Sequence, residues 1–93
     1  MTVSIRIPTP LRPYTDGESA VTVEGSTVGD ALGSLTAVHA GLTQHLRDDK
    51  GGLRSFVNVY LSGEDIRFLD GEGTPLTEGA VLTIVPSIAG GTR

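Results

Sequence analysis

The chain has 93 residues, eleven acidic and seven basic side chains, a net charge of −4 and no cysteine. That length makes one domain, and 38% hydrophobic with 19% charged residues describes a globular chain rather than a disordered one. A disulfide scaffold, a thiolate zinc finger and an iron–sulfur centre are excluded, the acidic balance argues against nonspecific nucleic-acid binding, and no apolar run approaches the roughly 18–20 residues of a membrane helix.

Val3-Ser4-Ile5-Arg6-Ile7 alternates apolar and polar residues with the period of a half-buried strand. Pro8 and Pro10 stop it, and Pro13 to Gly17 supplies turn chemistry. Ala20 to Val23 is a second β-prone run ended by Glu24-Gly25, so the two form an opening hairpin. Thr27-Val28-Gly29-Asp30 starts a helix, with Thr27 as cap and Asp30 suited to the positive end of the helix dipole. Val28, Leu32, Leu35 and Val38 follow at helical spacing, and Gly41 is the expected stop. Leu42 to Leu46 allows one more short turn before the loop Asp48 to Gly52.

Phe56 to Leu61 is the strongest strand signal, with Val57, Val59 and Leu61 on the expected core face and Phe56, Asn58 and Tyr60 opposite. A tight turn at Ser62 to Asp65 leads into Ile66-Arg67-Phe68 as the second member of a hairpin-like pair, and Leu76 to Gly79 is another turn. Val81 to Val85 is the last strand, ended by Pro86. Strand runs flanking one helix predict an α+β fold. A β-grasp (ubiquitin-like) arrangement fits, with a mixed sheet of about four to five strands and the main helix on one face. In it the first and last strands lie parallel in the middle. The expected organisation is a domain over 1–86 and a flexible C-terminal tail over 87–93.

That tail, Ser87-Ile88-Ala89-Gly90-Gly91-Thr92-Arg93, is the chemical feature of the chain. From Pro86 to Gly91 it spans roughly 16 Å when extended. Ala89 and Gly90 carry so little bulk that the segment can thread a channel into another protein's active site. A terminal Gly-Gly also occurs as a plain loose end or a cloning remnant, so its context has to decide.

The context resembles a family. Thr27-Val28-Gly29-Asp30-Ala31-Leu32, Leu76-Thr77-Glu78-Gly79-Ala80-Val81 and Ile84-Val85-Pro86-Ser87-Ile88-Ala89-Gly90-Gly91 are similar to ubiquitin-like sulfur carriers of the MoaD and ThiS type. Ile7-Pro8-Thr9-Pro10-Leu11-Arg12-Pro13, Phe56 to Leu61 and Gly63-Glu64-Asp65-Ile66-Arg67-Phe68 resemble the CysO-like branch. The resemblance implies a protein co-substrate rather than an enzyme, binding no cofactor itself. A ubiquitin-activating-type enzyme would use ATP to adenylate Gly91, and a sulfur donor would then convert it to a thiocarboxylate. Ionised sulfur of that kind is nucleophilic near neutral pH, as a cysteine thiolate is. A sulfur-accepting synthase completes the scheme: cysteine synthase for the CysO-like branch, with thiamine, molybdopterin or specialised metabolites served by others.

The family pattern ends at Gly-Gly, whereas Thr92 and Arg93 follow here and occupy the Gly91 carboxyl. The resemblance implies that they are a processed extension removed by a JAMM-type metalloprotease; an inactive precursor or a cloning artefact are the other readings. Two further functions use the same features. A ubiquitin-like modifier would join Gly91 to target lysines, and a non-catalytic β-grasp interaction module would leave the tail idle. Lys50 is the only lysine, which limits self-conjugation and favours sulfur delivery.

The remaining candidates are weaker. His39 and His45 lack the converging ligands of a metal site, so no metal is expected. The glycine pairs do not sit between a strand and a helix as a phosphate loop requires. Phe56, Tyr60, Val85 and Ile88 form a candidate partner-binding patch, since exposed aromatics favour interfaces; covering the sheet explains them equally well. Arg6, Arg12, Arg54 and Arg67 suit either an acidic partner or simple solubility. No signal-peptide pattern opens the chain, so a cytoplasmic location is expected.

Overall fold

A computed structural model describes residues 1–55 and 57–86. Strands β1 (Thr2–Arg6), β2 (Ala20–Glu24), β3 (Val57–Leu61), β4 (Glu64–Asp65) and β5 (Val81–Pro86) form one sheet in the order β2-β1-β5-β3-β4. β1 and β5 are parallel neighbours, with Ile5 opposite Leu82, and the other pairs are antiparallel. The expected β-grasp topology is therefore present, with first and last strands at its centre.

Helix α1 (Val28–Val38) packs on one face of this sheet. Val28, Ala31, Leu32 and Leu35 are buried against Ile5, Leu82 and other inward-facing strand residues. Burying each such Leu or Ile side chain contributes about 1.5–3 kcal/mol. The cap is as expected: Thr27 Oγ1 accepts the Asp30 N–H at 3.1 Å. Asp30 in turn accepts the Ser26 hydroxyl at 2.9 Å, which holds its carboxyl below the ordinary range.

The helix end differs from expectation. α1 stops at Val38, and His39 caps it by donating its N–H to the Leu35 carbonyl at 2.8 Å. Val38 sits roughly 80° around the helix from Val28, and at the last turn that leaves it 69% exposed rather than in the core stripe. Gly41 lies in a short 3₁₀ turn, Ala40–Leu42, before the single helical turn α2 (Thr43–Leu46). Its small size has another use: the Tyr14 ring lies 3.3 Å from where a Cβ would stand.

Two connections are helical where turns or a strand are expected. Thr9–Thr15 forms a 3₁₀ helix between β1 and β2, anchored by buried Leu11 and by the Thr15 hydroxyl donating to the Glu18 carbonyl at 2.9 Å. β4 is only two residues long, because Asp65 accepts the Arg67 N–H at 2.9 Å and bends Ile66–Phe68 into a 3₁₀ turn. On β3, Val57 and Val59 are buried and Leu61 packs partly buried against them, as the alternation predicts.

Candidate functional site

The sheet has two unequal faces. Helix α1 covers the one carrying Ile5, Val59, Leu82 and Ile84, so the alternate positions of each strand form an open face. At its middle Thr83 on β5 stands between Arg6 on β1 and Tyr60 on β3. One step towards the end of β5, Val85 faces Asn58, and Pro86 faces Val57. β5 therefore finishes at the sheet end where β1 stops and β3 begins.

Of the predicted partner patch, the structure brings Tyr60 and Val85 onto this open face, diagonal to each other. Tyr60 is half-buried and Val85 is exposed. Phe56 and Ile88 lie outside the described residues, as do Ala89, Gly90, Gly91, Thr92 and Arg93. The described chain ends with β5 at Pro86.

Three neighbours not singled out with that patch give it a fixed rim. Arg67 pairs with buried Asp65 at 2.8 Å through Nη2, and Nη2 also donates to Asn58 Oδ1 at 2.6 Å. The Arg67 guanidinium holds the Asp65 carboxyl below the usual carboxylate range, and Asp65 raises the Arg67 pKa in return. A long, exposed side chain is thus pinned beside Asn58 and Val85. The sequence signal was available only in part: Asp65-Ile66-Arg67 suits a local turn, but the bond to Asn58 needs the β3–β4 pairing.

On the other side of β5, Arg6 and Arg12 line a cleft of about 360 Å³ with Ser4, Ser19, Val81 and Thr83. Arg12 is half-buried, and its Nε donates to the Ile7 carbonyl at 3.1 Å. The sequence leaves Arg6 and Arg12 as unconnected cations; the end of β1 and the following 3₁₀ helix set both at one cleft.

The histidines do not meet. His39 closes α1 through its backbone, whereas the His45 ring lies 4.3 Å from that of Tyr14. Among the described residues no group of three or more His, Asp or Glu side chains is placed to hold a metal ion. No described helix is long and apolar enough to cross a membrane.

The ThiS family profile matches residues 5–91, nearly the whole chain. The chain belongs to the ThiS family of ubiquitin-like sulfur carriers. It is 41% identical over 93 residues to the sulfur carrier protein CysO of Mycobacterium tuberculosis, covering 98% of this chain and all of that one. Small archaeal modifier protein 3 of Haloferax volcanii is 40% identical over 68 residues, 73% of each chain. In the crystal structure of the Amycolatopsis orientalis BexX/CysO complex, the matching chain is 39% identical with a TM-score of 0.86, covering 96% of this chain and 99% of that one. The ThiS-family member described here is thus CysO-like in sequence and in fold.

Proposed function

We propose that this ThiS-family chain delivers sulfur from the carbonyl of Gly91 in cysteine biosynthesis. The observation that carries the reading is the reach of the family match: it runs to residue 91 and takes in Gly90-Gly91 but neither Thr92 nor Arg93. A JAMM-type metalloprotease hydrolyses the Gly91–Thr92 peptide bond and frees the carboxylate. That carboxylate is a poor electrophile, because its charge is delocalised and an oxide ion leaves badly. Attack on the α-phosphorus of ATP by the carboxylate, in an activating enzyme, releases pyrophosphate and makes an acyl-adenylate. Hydrosulfide then adds to the carbonyl and expels AMP, leaving a thiocarboxylate and a proton. The ionised sulfur is the nucleophile that attacks an activated serine derivative bound to a cysteine synthase. This chemistry belongs in the cytoplasm, where the activating enzyme finds its ATP. The chain itself supplies a slender reactive end and, with Tyr60 and Val85 on its open face, a surface for the enzymes to grip.

Intact-mass measurement tests this directly. A chain ending at Gly91, incubated with the activating enzyme, ATP and a sulfide source, is expected to gain the mass of one sulfur-for-oxygen exchange. The 93-residue chain gains none without the protease. Thiocarboxylate on the untrimmed chain would overturn the processing step. Replacing Gly91 by a bulky residue is expected to abolish the exchange, whereas a module with an idle tail shows no exchange in either form.

A second reading has a specific support of its own, the similarity to a small archaeal modifier protein over 73% of the chain. The same acyl-adenylate would then pass its glycyl group to a lysine amine, forming an amide. Lys50, exposed on the loop that Asp48 organises by accepting the Lys50 N–H at 2.9 Å, is the single side-chain acceptor this protein offers to another copy. High-mass lysine conjugates would favour this reading over sulfur delivery.

A further inference from the structure

The charges of this acidic chain are sorted along its central strands. At the start of β1, Glu24 takes the Met1 ammonium at 3.5 Å, and Glu78 accepts the Thr2 N–H at 3.0 Å. Arg6 lies four residues further along β1, about 13 Å away, and with Arg12 it faces the cleft beside Thr83 on β5. Among the described residues no carboxylate lines that cleft. Asp16 and Glu18 belong to the same hairpin but are not among its walls. Among the described residues, Arg6 and the Nη groups of Arg12 have no hydrogen-bond partner, while Arg67 on the far side of β5 is neutralised by Asp65.

We infer that this cleft docks an acidic segment of the enzyme that adenylates Gly91, with one or two Asp or Glu side chains set between Arg6 and Arg12; the inference rests on the carrier reading above. Placement and charge support that occupant. Thr83, opposite Arg6, is three residues before Pro86, so an enzyme that draws in the tail must come against this end of the sheet. A protein that is acidic overall presents two uncompensated cations here, and a planar guanidinium pairs well with a carboxylate. Val81 and Ile7 in the cleft add apolar wall for the methylene groups of an incoming Glu. Charges so placed act on the docking step and its salt dependence, not on the bond changes at Gly91.

ATP–pyrophosphate exchange, catalysed by the ubiquitin-activating-type enzyme of the same genome with chains ending at Gly91, tests the inference. Arg6→Glu is expected to raise the KM for the carrier about tenfold with kcat unchanged and to flatten the rise of KM with salt. The R6E/R12E variant goes further, and R6E alone keeps the test sound if loss of the Arg12–Ile7 bond disturbs folding. Lys50→Glu makes the same change in net charge on a loop that does not line the cleft and is expected to leave KM unchanged. A KM for R6E equal to that of the unaltered chain would overturn the docking site, as would a loss confined to kcat or an equal loss in K50E. If the unaltered chain supports no exchange at all, the carrier reading itself falls, and this inference with it.

Discussion

Gly25 shows how one residue can be necessary without any unusual backbone angle. A Cβ there would stand 2.7 Å from the Ala31 nitrogen and 2.9 Å from its Cα, both on the backbone of α1. The helix start is fixed by its cap, and the strand end is held by the Gly25 N–H donating to the Met1 carbonyl at 3.0 Å, so neither side yields cheaply. Gly25→Ala is expected to cost about 1–3 kcal/mol, measured as a lower urea midpoint at unchanged slope. In the sequence Gly25 reads as the punctuation of a strand. Gly63 and Gly79 do have positive φ in turns, as their Ser-Gly and Glu-Gly settings imply. The close approach at Gly25 was hidden because it depends on where α1 docks.

Elements, rather than residues, were where local chemistry spoke most clearly. Thr27 and Asp30 marked the start of α1 because a cap is a contact between near neighbours in the chain. Gly41 reads as its end in the sequence, yet α1 stops at Val38, because the Tyr14 contact that explains this glycine comes from a distant segment. The same division holds at β4: Asp65 bends the following turn locally, yet its partner Arg67 also ties that turn to Asn58 on β3. Arg67 holds the Asp65 pKa below its ordinary 3.8, so the folded state favours the ionised form. The stability this contributes is present above the unfolded value and is lost as pH falls through the lower folded value. Urea midpoints should stay level from neutral pH to about 5 and fall below about 4. Asp65→Asn should lower the neutral midpoint and make the acid decline shallower, while Asp30 keeps part of it. An unchanged acid limb in D65N would remove Asp65 from that role.

For the whole molecule the decisive feature is the parallel pairing of β1 with β5. It joins the two ends of the chain, a closure whose entropic cost grows with the length enclosed. Once formed, it puts Ile5 and Leu82 at the centre of sheet and core alike, so their amides should be among the last to exchange with deuterated solvent, in the class set by global unfolding. Rapid exchange at both would mean that the central pair opens on its own. The family was legible in the sequence because its short motifs, Gly90-Gly91 among them, need no fold to be recognised. The basic cleft was not, since Arg6 meets Thr83 only through this pairing. The same pairing fixes the molecule's polarity. Because β1 and β5 run in one direction, Met1 lies at the opposite end of the sheet from Pro86, about 17 Å or more along the strands. A dye, an affinity tag or a tether to a solid support attached at Met1 therefore stands clear of the exit of β5. The protein can be held by one end while the other stays free for a partner.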